Sequence, residues 1–258
     1  MYEGNSSEAN LDSWTIFAIP CRMRKIVCIA LLLLLGAGCS DTSYLPQVSP
    51  LQQCPDLPVI HTGEATYYTF ASGAGACMFD STPNNLMIGA MNQIDYQGSR
   101  ICGECVTVTG PKGTILIRIV DLCPECPRGN IDLSPLAFAM IGDIALGHVP
   151  ITWQLVPCDV NGPILYHFKD GSNQWWTAVQ IRNHRYPIAS LEYLTPQGVF
   201  RQVNRTEYNY FVEPAGMGEG PYTFRVTDIY GHVIVDTSVV HMANASIPGV
   251  SQFPPCEH

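Results

Sequence analysis

Charge is scarce in this chain: only 14% of its 258 residues are Asp, Glu, Lys or Arg, and 13 basic side chains face 22 acidic ones for a net charge of −9 at pH 7. So few cations cannot build the basic stripe that a nucleic-acid backbone requires, and no nucleic-acid partner is expected. The negative balance also repels acidic polymers such as pectate or teichoic acid and favours neutral ligands. The main apolar run, residues 26–35, falls short of the roughly 20 residues that a transmembrane helix needs. There is no internal repeat, and no Ser-His-Asp, nucleotide-binding or His-based metal motif. His148 and His241 have no constellation around them. No cofactor and no metal are therefore implied.

What is present begins with an export signal. Met23-Arg24-Lys25, the apolar run and Gly36-Ala37-Gly38-Cys39 have the charged start, short apolar centre and small-residue exit of a secretory signal peptide. Residues 23–39 are thus expected to be that signal, and residues 1–22 an upstream extension of the reading frame. Small residues before Cys39 resemble a bacterial lipoprotein cleavage site, although Gly36 stands where a leucine is usual. Lipidation of Cys39 and plain secretion both stay open. Both place the mature protein outside the cytoplasm, with a membrane contact only through lipidation. Residues 40–58, rich in proline, serine and glutamine, read as a linker.

Eleven cysteines are present, and Cys21, Cys28 and Cys39 fall in the leading segment. The rest, Cys54, Cys77, Cys102, Cys105, Cys123, Cys126, Cys158 and Cys256, form an even set that reads as disulfides in an exported chain. The spacing Cys102-x2-Cys105 … Cys123-x2-Cys126 also matches a four-cysteine zinc site, but the export signal and the four other cysteines weigh against it. Cys256, close to the C-terminus, is expected to tie back to Cys54 and clamp the two ends.

From Gly63 the chain is patterned in short β-like runs. They cover residues 65–70, 86–91, 106–108, 115–120 and 151–156, with a hairpin signal at Gly110-Pro111-Lys112-Gly113. Ser134 with Pro135 behind it opens a helix that stops at Gly142. Many short strands and one short helix give a small β-barrel, residues 59–158. After the break at Asn161-Gly162-Pro163, runs at 164–168, 176–182, 188–193, 222–227 and 233–236 predict an antiparallel sandwich, residues 159–258. The fold class is all-β.

Residues 120–135 hold the most chemistry: Asp121 and Asp132 flank the Cys123-x2-Cys126 loop. Further polar candidates are Glu125, Glu104, Thr66, Tyr67 and Asp80. Paired carboxylates are the equipment of glycoside cleavage, one protonated as acid and one ionised as base. Asp132 lies between Ile131 and Leu133, where burial raises a carboxyl pKa. An aspartate between apolar residues is also a common loop stabiliser, and the pattern alone leaves both readings open. In the second half Trp175, Trp176 and Tyr208 offer flat faces on which sugar rings stack. Adjacent strand residues point to opposite faces, so the two tryptophans share a surface only if the chain is irregular there. Trp153, in the run that closes the barrel, is expected in the core or at an interface. Arg182, Asn183 and His184 are expected to fix a turn or the face between the two halves.

Several blocks in unbroken order resemble expansins. They are Gly63-x-Ala65-Thr66-Tyr67, Cys102-Gly-x-Cys105-Val-x-Val-x-Gly110-Pro111-x-Gly113, Val120-Asp121-x-Cys123-Pro124 and Ile131-Asp132-Leu-Ser-Pro135, then Trp175-Trp176, Gln180-Ile-Arg182-Asn183-His184-x-Tyr186-Pro187 and Tyr208-Asn209-x-Phe211. The resemblance covers about residues 60–255 and implies a six-stranded double-psi β-barrel followed by an immunoglobulin-like, cellulose-binding β-sandwich. It makes Asp132 the essential acid, with Asp121 and Thr66 lining the groove. It makes Trp175, Trp176 and Tyr208 a cellulose-binding strip flanked by Lys169, and Tyr67 joins the substrate-binding set. It pairs Cys77 with Cys102 and Cys105 with Cys158, leaving Cys123 for Cys126. Many bacterial relatives carry a tyrosine at the position of Cys123, so this chain departs from them there. The implied function is non-hydrolytic loosening of plant cell walls by a monomer that binds cellulose and related neutral β-glucans. The alternatives are a weak endoglucanase or a peptidoglycan lytic transglycosylase using Asp132 as acid, or a purely carbohydrate-binding protein.

Overall fold

A computed structural model describes residues 59–69 and 72–256; the expected extension, signal and linker, with Cys39 and Cys54, lie outside the described residues. Six strands close the barrel: β1 (His61–Tyr67), β2 (Ile88–Asn92), β3 (Cys105–Gly110), β4 (Gly113–Cys123), β5 (Ile131–Leu133) and β6 (Val149–Val156), in the order β1-β5-β2-β4-β3-β6. β1 pairs with β5 and β2 with β4 in parallel, and the other pairs are antiparallel. Parallel pairing between strands that are not consecutive forces the connections to cross, as a double-psi barrel requires. Alternation supplies the core: Val106 and Val108 of β3 and Ile115, Ile117 and Ile119 of β4 turn inward, while Thr109, Thr114 and Leu116 stay exposed. Trp153 of β6 is buried, stacks on His61 at 3.9 Å and donates its indole N–H to Gly129 O at 2.7 Å.

The helix expected after Ser134 forms as α2 (Pro135–Ile141), following a shorter α1 (Gln93–Tyr96). The Ser134 hydroxyl accepts the Ala137 N–H at 3.1 Å, and Phe138 and Ile141 bury the inner face of α2. α1 is a correction to the single helix expected. At four residues it is too short to carry a period, and it exists because Asn92 Oδ1 accepts the N–H groups of Ile94 and Asp95 at its start.

The second half forms one eight-stranded sheet in the order β13-β12-β9-β10-β11-β8-β7-β14. Its strands are β7 (Leu165–Phe168), β8 (Thr177–Arg182), β9 (Ile188–Leu194), β10 (Phe200–Arg205), β11 (Phe211–Glu213), β12 (Tyr222–Asp228), β13 (Val233–Val239) and β14 (Ala245–Pro248). Tyr166 of β7 stacks on Phe224 of β12 with centroids 5.1 Å apart. Those strands lie far apart in the sheet order, so the sheet doubles over and its halves pack as the two layers of a sandwich. β10, β11 and β14 were not expected.

Three disulfides join Cys77 to Cys102, Cys105 to Cys158 and Cys123 to Cys126. Of the four cysteines of the zinc spacing, Cys123 and Cys126 pair with each other, and Cys102 and Cys105 each pair with a cysteine outside it. Cys256 is also disulfide-bonded.

Barrel and sandwich belong to one compact unit and share a polar junction. Gln180 is fully buried there; its Nε2 donates to Cys77 O at 2.9 Å and Asn209 O at 3.3 Å, and its Oε1 accepts from Arg182 Nε at 2.5 Å. Arg182 also pairs with Asp80 at 2.7 Å, and His184 Nδ1 lies 3.0 Å from Glu104 Oε1. Burial pushes the Glu104 carboxyl up, against the opposing hydrogen bond from His184. These contacts agree with the junction role expected of Arg182 and His184. Gln180→Ala strands the buried Asn209 carbonyl and one guanidinium N–H and leaves Cys77 O only the longer bond from Asn209 Nδ2 at 3.4 Å, at a cost of about 2 kcal/mol. Urea denaturation should show it as a lower midpoint with an unchanged slope.

Candidate functional site

The stretch 120–135 is pinned from several sides. The Cys123–Cys126 disulfide closes its first turn. Asp95 Oδ2 accepts the Gly129 N–H at 2.9 Å, and Asn92 Nδ2 donates to Asn130 O at 3.1 Å. Asn130 Oδ1 accepts the Glu64 N–H at 2.9 Å, and Trp153 holds Gly129 O. The crossing is so close that a Cβ on Gly63 would stand 2.2 Å from Gly129 O. Asp132 is thus carried on a short strand, β5, with a rigid approach.

Thr66 faces Asp132 across the parallel β1–β5 pair, and its hydroxyl donates to Asp132 Oδ1 at 2.5 Å. Burial pushes the Asp132 carboxyl above the ordinary carboxylate range; the Thr66 hydrogen bond opposes this, while the charges of Glu125 and Asp121 add to it. A carboxyl raised in this way keeps its proton to higher pH than a free aspartic acid does. Asp121 comes from β4, and its Oδ1 accepts the N–H groups of Ala76 at 2.6 Å and Leu122 at 2.8 Å. Its geometry is that of a carboxylate tethering the 72–80 loop. The approach admits no side chain at Gly75, where a Cβ would sit 2.4 Å from Asp121 Cγ.

Strand alternation turns Tyr67 away from Thr66, onto the other side of β1: its ring packs 5.0 Å from Phe138 of α2 and its hydroxyl donates to Ile144 O at 3.4 Å. The groove side holds Tyr68 instead, a residue the sequence reading passed over. The available signal was its position two places after Thr66, which puts both on one strand face.

On the sandwich, Val179 and Ile181 of β8 enter the core, so Trp176, Ala178, Gln180 and Arg182 take the opposite face. The chain before β8 is irregular, as a shared tryptophan surface requires. Asn173 Oδ1 accepts the N–H groups of both Trp175 and Trp176 in a tight turn. Trp175 is 71% exposed and Trp176 is half-buried. Tyr208, 37% exposed, lies at the other end of this face, where the turn between β10 and β11 brings it 6.1 Å from the ring of Tyr210. Lys169 Nζ lies 5.8 Å over Tyr210. Tyr210, also missed in the sequence, thus links Lys169 to Tyr208. Towards the barrel this face becomes buried: Gln180 bonds to Cys77 O in the loop that Asp121 tethers.

A closed barrel with two parallel crossings, an acid held at its rim and a doubled sheet with outward aromatics define a two-part double-psi barrel protein. A family model described as lytic transglycolase matches residues 60–153, the barrel. Over 204 residues the chain is 37% identical to Expansin-YoaJ of Bacillus subtilis (strain 168), covering 76% of this chain and 87% of that protein. It superposes on the crystal structure of apo Clavibacter michiganensis expansin with a TM-score of 0.72 and 32% identity, covering 77% of this chain and 100% of the other. A mutant of that expansin in complex with cellohexaose matches with the same TM-score at 30% identity and the same coverage. This chain belongs to the expansin family.

Proposed function

We propose that this chain is an exported, non-hydrolytic wall-loosening protein that binds cellulose and weakens contacts between glucan chains. The observation that carries this reading is the presence of two different surfaces on one compact unit. The sandwich carries Trp175, Trp176 and Tyr208 with Lys169, the barrel carries Asp132 bonded to Thr66, and the buried Gln180 junction fixes the two modules together. The cellohexaose complex of the Clavibacter expansin mutant supports a glucan as ligand. The net charge of −9 supports a neutral one.

The division of labour follows the two modules. The sandwich, residues 159–258, holds a cellulose chain by ring stacking; the barrel, residues 59–158, engages a neighbouring glucan with Asp132, Thr66 and Asp121. One chain carries both surfaces, so a monomer suffices. Export through residues 23–39, in secreted or Cys39-lipidated form, brings it to the wall. Cleavage by inversion needs an ionised base across the scissile bond from the acid. Asp121, the carboxylate nearest in role, accepts two backbone N–H groups at its Oδ1, which argues for gripping over cutting.

The lytic transglycolase match over residues 60–153 raises one second reading, cleavage of peptidoglycan with Asp132 as the sole acid. Extension of wall strips or weakening of cellulose paper, run beside assays for reducing-end and anhydro-sugar release, separates the two. The expected result is mechanical weakening with no sugar released from cellulose or peptidoglycan. Anhydro-sugar release would establish the lytic reading, and binding with no mechanical effect would reduce the chain to a carbohydrate-binding module.

A further inference from the structure

A cavity of about 450 Å³ opens where the barrel meets the sandwich. That volume lies within the range of small-ligand sites, about 300–1,000 Å³. None of Asp132, Thr66 and Asp121 lines it, and none of Trp175, Trp176 and Tyr208. It is a place apart from both surfaces described above. Its barrel wall is the outer face of β4: Ile117 and Ile119 enter the core, so Leu116 and Arg118 turn outward. Met87, Leu165 and the Cys105–Cys158 disulfide give the rest of the lining an apolar character.

The Arg118 guanidinium lies 4.1 Å from the centroid of the Phe79 ring, and its Nε donates to Gly103 O at 3.3 Å. Its two Nη groups have no hydrogen-bond partner among the described residues, and no carboxylate oxygen stands within ion-pair range of them. Burial pulls the Arg118 pKa down; Glu104 opposes this and Arg182 adds to it. A guanidinium keeps its charge all the same. A half-buried cation whose fork is unpaired asks for an anion. Arg182, which also lines the cavity, is not free in this way, because Gln180 Oε1 holds its Nε and Asp80 its Nη1.

We propose that this cavity binds a small organic monocarboxylate, its carboxylate on the Nη groups of Arg118 and its apolar body against Met87, Leu116 and Leu165. The class of ligand follows from the lining. A neutral molecule leaves the fork unmatched, whereas a carboxylate accepts from both of its nitrogens at once. A second negative charge would meet Asp80 and Asp159, both exposed lining residues, and be repelled. Because both modules supply the walls, the bound acid also ties β4 to the sandwich and stabilises the folded chain.

The test uses the full chain with 2-naphthoate as probe, beside its neutral amide and the doubly charged naphthalene-2,6-dicarboxylate. Calorimetry should give 2-naphthoate a Kd on the order of 1 mM or tighter, as its roughly a dozen heavy atoms allow. The amide and the diacid should each bind about tenfold more weakly, the scale of a charged hydrogen bond lost. The melting temperature should rise with 2-naphthoate and not with the other two. Arg118→Met keeps the stem and removes the fork. Leu116→Glu sets an opposing charge in the cavity from a residue that is 49% exposed and contributes little to the core. Both variants should lose the binding and the rise in melting temperature, with cellulose retention at the parent's level. Should Arg118→Met fail to fold, Leu116→Glu still decides. Equal binding of acid and amide, binding that persists in Leu116→Glu, or no binding of 2-naphthoate by the parent overturns the proposal.

Discussion

Asp132→Asn is expected to abolish wall extension while cellulose retention stays at the parent's level. The amide keeps the size of the carboxyl and can still accept the Thr66 hydroxyl through its oxygen, now made at 2.5 Å, so the groove keeps its shape and loses its acid. The strip of Trp175, Trp176 and Tyr208 lies on the other module and is untouched. The same variant carries a signature in stability. Burial first, then Glu125 and Asp121, raise the Asp132 pKa in the fold. A carboxyl whose folded-state pKa is raised stabilises the fold fully below its unfolded value and loses that contribution as pH rises through the folded one. The Asn variant cannot ionise, so it should melt above the parent at neutral pH. The gap should close as pH falls through the ordinary carboxylate range. Melting curves at pH 7 and pH 4 check the sign; a variant that melts below the parent at pH 7 makes Asp132 a structural carboxylate. Extension at the parent's rate removes it from the groove's function.

The barrel was legible because its residues obey local rules. The alternation in β3 and β4, the Gly110-Pro111-Lys112-Gly113 hairpin and the Ser134-Pro135 helix start each state their structure within a few residues. Strands β10, β11 and β14 were not legible, because their pattern is weak: β11 has three residues and β14 is short, exposed at Ser246 and Pro248 and ends in proline. Partners in the sheet make them strands, and no local signal announces those partners. The site shows the same division. Asp132 and Thr66 stand in recognisable motifs, and the pairing of β1 with β5 brings them together. The motif around Tyr67 does not record which face of a strand a residue takes, and only the pairing of β1 with β5 separates the side of Tyr67 from that of Thr66. Gln180 reads as an ordinary strand residue until the 72–80 loop lies across it.

Trp175→Ala should weaken retention on crystalline cellulose roughly thirtyfold, the scale of about 2 kcal/mol for an aromatic anchor at a binding surface. Its melting temperature should not move, because a ring that is 71% exposed contributes little to the fold. Trp176→Ala should cut retention as well, but Trp176 is half-buried, so part of its effect arrives through lost packing. Trp175 therefore gives the cleaner measurement, and the double variant should lose less than the sum of the two, since the side chains are adjacent. Tyr208→Ala should have the smaller effect on binding, with 37% of the residue exposed and its ring set against Tyr210. Depletion isotherms on cellulose, paired with melting curves, check all of these, and unaltered retention in the double variant would sink the strip. The tryptophan variants should also lose wall extension even though the Asp132 groove is intact. A groove that eases one glucan away from another needs the protein held on a neighbouring chain, and only the sandwich face supplies that hold. If extension survives the loss of retention, the barrel works without an anchor and the two surfaces are independent.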